Sequence, residues 1–318
     1  MTRIVCTSPA FGRHGGVPDR LAATGWDLVR CRDAVELAAE LPAADFLVVG
    51  LPPVTATELA AAPRLRGVLK HGVGTDNIDI AACTAAGIPV LNTPAANADA
   101  VAELAVGLMF ALARAIPAGH ASVASGGWDR RVGAELGGKT LGIVGLGAIG
   151  RRLALKARGL GMAVVASDLF PDHAFAAEHG IALADLDALL ARADYVSLHV
   201  AGNTTLLDAA RIAAMKPGAR LLNLARGEVV DLDALNAALD AGGLAGAAID
   251  AYAQEPPDTT HPIFANPKVV FMPHSGGDTH EAIERIGLMN IADMETLLAG
   301  GRPARVLNPA VFETAAAR

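Results

Sequence analysis

The sequence predicts an α/β protein built on two doubly wound parallel sheets. Three observations carry that reading. Short Val/Ile/Leu runs alternate along the chain with Ala-rich stretches of helical period. Gly and Pro punctuate the joints, at Gly25, Pro42, Pro52, Pro53, Gly87 and Pro89 in the first part of the chain. The 318 residues correspond to about two domains of ordinary size.

In the first series the strands are Arg3–Cys6, Trp26–Val29, Phe46–Val49, Val68–Lys70 and a weaker Val90–Leu91, with helices over Asp33–Glu40 and Asn77–Ala86. Ala98–Ile116 reads as one long helix, capped by Asn97 and stopped by Pro117. Its apolar content predicts that it packs between domains or against a second subunit. A second series follows, with strands Thr140–Val144, Met162–Ser167, Tyr195–Val200, Arg220–Leu224, Gly246–Ile249 and Lys268–Met272. Helices are expected over Ala148–Leu160, Leu183–Ala191, Ala209–Met215, Leu232–Ala241 and Thr279–Ala299, the last returning to the first domain. The expected division is residues 1–96 with 280–318, and residues 97–279.

Composition excludes several classes. The chain is 52% apolar, which rules out intrinsic disorder, and its net charge is −7, which disfavours general nucleic-acid or anionic-membrane binding. Its three cysteines, Cys6, Cys31 and Cys83, form no CxxC or zinc spacing and read as reduced thiols in the cytoplasm. The most apolar stretch, Val101–Ala113, is too short to span a bilayer and carries Glu103, and no signal peptide is visible. No clustered ligand spacing suggests a metal.

Gly145-Leu146-Gly147-Ala148-Ile149-Gly150 follows an apolar strand and opens a helix. A lone GxGxxG is a weak signal, but strand before and helix after are the context of a dinucleotide-binding turn. Gly145 permits the tight turn, Gly147 lets a pyrophosphate approach, and Gly150 lets helix and strand pack. The helix N-terminus offers free N–H groups to the anion. Asp168 ends the next strand, 18 residues after Gly150, close to the spacing of a ribose-binding acid. No Arg or Lys lies in Leu169–Asp172. These features point to NAD rather than NADP.

Ligands of open parallel sheets sit outside the carboxyl ends of the strands. Polar residues there include Arg226, Asp250 with Glu255 five residues on, and His274. A cation for a carboxylate, a proton donor for a carbonyl oxygen and an anion to hold that donor make a hydride-transfer set. Taken singly, each also reads as an ordinary surface or structural residue.

At these segments the chain resembles the D-isomer-specific 2-hydroxyacid dehydrogenase family, nearest its phosphoglycerate dehydrogenase-like members in a short form without the regulatory extension. The likeness rests on Lys70–Asp79, Val101–Met109, Gly138–Gly150, Met215–Gly218, Asn223–Asp231, Glu255-Pro256 and Pro273–Gly277. It implies a Rossmann cofactor domain beside a smaller flavodoxin-like substrate domain, NAD as cofactor and a homodimer formed through the cofactor domain. It implies that Arg226 holds the substrate carboxylate, that His274 is the acid/base with Glu255 as its partner, and that Val73 and Gly74 offer N–H groups to the carboxylate. By the same resemblance Asp250 contacts the nicotinamide carboxamide, Ala225 and His274 lie at the cofactor, and Lys70, standing where many relatives carry Arg, binds substrate together with Val73, Gly74, Arg226 and His274. Two other readings keep this fold: an NAD-sensing binding protein, and a relative oxidising another small anion such as phosphite.

Overall fold

The structure, a computed structural model, describes residues 1–315. The chain divides into two compact units, residues 1–97 with 277–318 and residues 98–276.

The first unit begins with five strands: β1 (Arg3–Cys6), β2 (Asp27–Arg30), β3 (Phe46–Val49), β4 (Gly67–Lys70) and β5 (Val90–Leu91). All pair in parallel, in the order β2-β1-β3-β4-β5, which is the flavodoxin-like order. Every residue of β3 and β4 is buried, so both faces of the sheet are covered, as a parallel sheet requires. The connecting helices are α1 (Val17–Thr24), α2 (Ala34–Glu40), α3 (Ala56–Ala60) and α4 (Ile80–Ala85). The expected strands match within one residue; α1 and α3, hidden in short polar stretches, escaped the periodicity.

The second unit opens with α5 (Ala98–Arg114) and α6 (Ile116–Ala124). The single helix expected over Ala98–Ile116 therefore ends two residues early, and a second helix follows it. Ala115 takes the left-handed conformation (φ 49°), and Pro117 falls within the first turn of α6 rather than ending α5. Proline suits a first turn because its missing N–H would be unpaired there anyway. Ala102, Ala105 and Met109 of α5 are wholly buried, and the helix packs on α7 (Ala148–Gly159) within its own unit. Its apolar content is explained by that core.

The sheet of this unit comprises β6 (Thr140–Val144), β7 (Ala163–Ser167), β8 (Ala182–Leu183), β9 (Tyr195–Leu198), β10 (Arg220–Asn223), β11 (Gly246–Ile249) and β12 (Val269–Phe271). The order is β12-β11-β10-β9-β6-β7-β8, all parallel. This is the doubly wound nucleotide-binding order with one further strand. Six strands were expected. The two-residue β8 follows α8 (His173–Glu178) and lies where helix was read, because α9 (Leu186–Arg192) starts only after Asp185, whose carboxylate caps it. Asp172 caps α8 in the same way, and Asp208 and Asp231 cap α10 (Ala209–Ala213) and α11 (Leu232–Asp240). Several acids thus serve local structure.

The chain then returns to the first unit as α12 (His280–Leu298), capped by Thr279. Ile291 and Met294 of this helix pack with Ile4, Phe46 and Leu69 of the first sheet. No single helix among the described residues is long and apolar enough to cross a membrane.

His199, half-buried, directly follows β9. Its Nε2 meets Ser197 Oγ at 2.9 Å, while Nδ1 is enclosed with no partner among the described residues. Desolvation lowers its pKa from 6.5 to about 4. The unfolded chain therefore takes a proton that the native state refuses. The stability His199 contributes is intact above pH 6.5 and is lost as pH falls toward 4. Replacing His199 with Asn should make the fall in unfolding free energy between pH 7 and pH 5 smaller by roughly 1–2 kcal/mol, measured by urea denaturation at both pH values. An equal fall in both proteins would show that His199 titrates normally.

Candidate functional site

Four backbone segments at the carboxyl ends of the second sheet carry the site. The first is the glycine turn between β6 and α7. Gly145 has φ 95°, and a Cβ there would meet the His199 carbonyl oxygen at 2.7 Å. A Cβ on Gly150 would lie 2.1 Å from the Gly145 oxygen, so helix and turn meet with no room for a side chain. At Gly147 a Cβ would meet nothing within 4 Å. The three glycines thus have three causes: backbone conformation, close packing and an open approach. Gly147 also begins α7 with no side-chain cap, which leaves the first N–H groups of the helix, from Ala148, Ile149 and Gly150, without one.

Asp168, directly after β7, sits against this turn. Its carboxylate accepts from Leu146 N at 2.6 Å and from Phe170 N at 2.8 Å. An ionised carboxylate has about four acceptor positions, so two bonds leave capacity for a ribose diol. An open glycine cradle, an uncapped helix N-terminus and a partly satisfied acid fit a dinucleotide.

The second segment follows β10. Asn223, 2% exposed, accepts from Ala225 N at 3.1 Å and donates from Nδ2 to Arg226 O at 2.8 Å. Its side chain closes a small loop that fixes the backbone of Arg226, whose Nη1 donates to Ala225 O at 2.8 Å. A Cβ on Gly227 would lie 1.9 Å from Ala253 N, so this loop presses directly on the loop after β11.

The third and fourth segments follow β11 and β12. Asp250, 3% exposed, accepts from Ser275 N at 2.8 Å and from Gly276 N at 3.0 Å. It thereby ties down the loop that carries His274, which has φ 53°. His274 Nδ1 lies 2.7 and 2.9 Å from the two oxygens of Glu255, with the imidazole 40% and the carboxylate side chain 22% exposed. Glu255 also accepts from Tyr252 N at 3.1 Å. Tyr252 donates its hydroxyl to Met272 O at 2.8 Å and so bridges the two loops. Burial, with the charges of Asp250 and Glu255 nearby, pushes the Tyr252 pKa up to about 12, so the hydroxyl stays a donor.

The structure thus joins His274 to Glu255 and brings the Arg226 loop against the loop between Asp250 and Glu255. Lys70, Val73 and Gly74 belong to the first unit, on the loop that begins at the end of β4. Lys70 Nζ donates to Gly50 O at 2.6 Å and Asn77 Oδ1 at 2.8 Å, and the Val73 and Gly74 N–H groups meet no acceptor among the described residues. Asn223, Tyr252 and Gly227 were absent from the residues expected at the site. The position of Asn223 at the end of β10 was a usable signal; nothing local marks Tyr252. No group of three or more His, Cys, Asp or Glu side chains able to hold a metal is found among the described residues.

Comparison with known proteins places the chain in a family. Residues 106–276 match the D-isomer specific 2-hydroxyacid dehydrogenase, NAD binding domain. The D-3-phosphoglycerate dehydrogenase of Mycobacterium bovis is 42% identical over 294 residues, which are 89% of this chain and 55% of that protein. The chain therefore spans about half the length of the curated relatives it matches. Among solved structures, the TT0316 protein of Thermus thermophilus superposes with TM-score 0.87 at 32% identity, over 96% of this chain and 100% of that one. The D-lactate dehydrogenase of Aquifex aeolicus, complexed with NAD and lactic acid, gives TM-score 0.84 at 26% identity, over 96% and 99% of the two chains. The chain belongs to the D-isomer specific 2-hydroxyacid dehydrogenase family.

Proposed function

We propose that this chain is an NAD-dependent oxidoreductase acting on small D-2-hydroxy acids and their 2-keto counterparts. The observation that carries the reading is the His274–Glu255 pair. Glu255 engages Nδ1 and keeps a proton there, which leaves Nε2 as the nitrogen that can serve a substrate oxygen. NAD, when bound, supplies the hydride acceptor in oxidation and, once reduced, the donor in reduction. The glycine turn and the N-terminus of α7 hold its pyrophosphate, and Asp168 holds the ribose. Ala225 lies at the cofactor, and Asp250, besides fixing the His274 loop, receives the nicotinamide carboxamide. In the reducing direction protonated His274 gives the proton on Nε2 to the substrate carbonyl oxygen. Arg226 pairs with the substrate carboxylate and stabilises charge developing on that oxygen. Val73 and Gly74 offer their N–H groups to the same carboxylate.

The second unit serves as the NAD-binding domain and the first as the substrate-binding domain. The three cysteines, all buried and unpaired, support a reducing cytoplasm as the working compartment. Residues 116–132 support a homodimer formed through the cofactor domain. No residue of α6 is buried, and Ile116, Val123, Trp128 and Val132 are 53%, 58%, 79% and 104% exposed. Exposed apolar side chains grouped in one segment in this way favour burial against a second copy.

Loss of NADH absorbance near 340 nm with a panel of 2-keto acids tests the reaction. His274→Ala should lower kcat by about 10²–10⁴ with saturating NADH; wild-type turnover in this variant would refute the assignment. Asp168→Ala should weaken NAD about 10- to 100-fold, as expected for hydrogen bonds to a charged group. Wild-type use of NADPH as readily as NADH would remove Asp168 from that role. Val123→Glu should shift the sedimenting species from dimer to monomer, and a wild-type monomer at micromolar concentration would end the dimer proposal.

A further inference from the structure

Resting on the ribose-binding role proposed for Asp168, we infer that Asp172 is a second determinant of cofactor choice: by engaging Arg151 it withholds the cation that a 2′-phosphate needs. The residues concerned all belong to the second unit, where the glycine turn, the first turn of α7 and the loop between β7 and α8 meet.

Sequence alone gives this end of the site Asp168 and, over Leu169–Asp172, no Arg or Lys. The fold supplies a cation from elsewhere. Arg151, in the first turn of α7, folds back on the glycine turn and donates from Nε to Leu146 O at 3.1 Å. The N–H of the same Leu146 donates to Asp168 at 2.6 Å. One residue of the turn therefore carries the ribose-binding acid on its nitrogen and a guanidinium on its oxygen. A phosphate on the 2′-oxygen of a ribose held by Asp168 has an arginine close at hand. Arginine is the side chain best suited to grip it, because its planar fork matches two phosphate oxygens.

That guanidinium is already engaged. Nη2 lies 3.1 Å from Asp172 Oδ2, and the guanidinium carbon sits 4.9 Å from the centre of the Phe175 ring. The other oxygen of Asp172 accepts from Phe175 N at 3.0 Å and caps α8, so the carboxylate is fixed where it faces the arginine. The bond from Phe175, with the charge of Arg151, holds the Asp172 carboxyl below its ordinary range, and it is ionised at neutral pH. A 2′-phosphate thus meets two carboxylates, one repelling it at the ribose and one occupying the cation. The arginine and aspartate side chains are 37% and 36% exposed, so it is the charge of Asp172, and not burial, that withholds Arg151. The next basic residues of α7 do not stand in for it. Arg152 Nε donates to Asp99 Oδ2 at 3.1 Å and Lys156 Nζ to Glu103 Oε1 at 3.0 Å, both on α5.

The test measures Kd for NADH and for NADPH by the fluorescence of the reduced nicotinamide, which needs no substrate. Wild type should bind NADPH more weakly than NADH. Asp172→Asn removes the charge and keeps the cap of α8, since asparagine caps a helix as well as aspartate. It should lower the ratio of the NADPH Kd to the NADH Kd by roughly three- to tenfold, from a released exposed pair and a new arginine–phosphate contact. Adding Arg151→Met to Asp172→Asn should return the ratio to the wild-type value. An unchanged ratio in Asp172→Asn, or a gain that survives the loss of Arg151, overturns the inference while Asp168 keeps its role. A wild type that binds NADPH as tightly as NADH, or an Asp168→Ala protein with undiminished NADH affinity, overturns the ribose assignment and the inference with it.

Discussion

The candidate site depends on one buried carboxylate. Asp250 sits at the end of β11 with almost no exposure, and a charge so placed is costly unless it is fully hydrogen-bonded. The N–H groups of Ser275 and Gly276 meet that need. In doing so they fix the loop after β12, and with it the left-handed backbone of His274, a conformation that costs about 1–3 kcal/mol outside glycine. The His274 ring then reaches Glu255 because the Tyr252 hydroxyl spans the same two loops. Asn223 repeats the device one strand over, using a side-chain amide to shape the loop of Arg226. The loops that carry Arg226 and His274 are therefore held by buried polar residues at strand ends.

The sheets and the glycine turn were largely legible in the sequence. Parallel strands covered on both faces must be short apolar runs, and Phe46–Val49 or Gly246–Ile249 have few other readings. Gly145 and Gly150 were legible because each answers a separate steric demand, a positive φ and a close backbone approach. The link between His274 and Glu255 was legible only through family resemblance, since they stand nineteen positions apart with a short helix and β12 between them.

Elsewhere the sequence was silent for physical reasons. The break at Ala115 is not marked by that residue, since alanine is the strongest helix former; Pro117 was its one local signal, and it suits the start of a helix as well as the end of one. The strand β8 is two residues long and lies at a sheet edge, too short to show any period. Lys70 is the sharpest case. Its position on the β4 loop suggested a ligand for substrate, while its partners, Gly50 and Asn77, are distant enough in sequence that no local pattern reveals the clasp. A lysine in sequence carries only its charge; what that charge already holds is a property of the fold.

The division of the chain also imposes an order on its birth. The second unit is continuous, so once residue 276 has left the ribosome it contains everything its core requires. The first unit is not: α12, whose Ile291 and Met294 pack on the first sheet, is made only after the second unit has been completed. At roughly 5–20 residues per second, the opening five strands wait some ten seconds or more with one face covered only in part, by Phe11 and α1. The part of the protein translated first is the last to be finished, and that interval is when a nascent chain of this kind depends on chaperones.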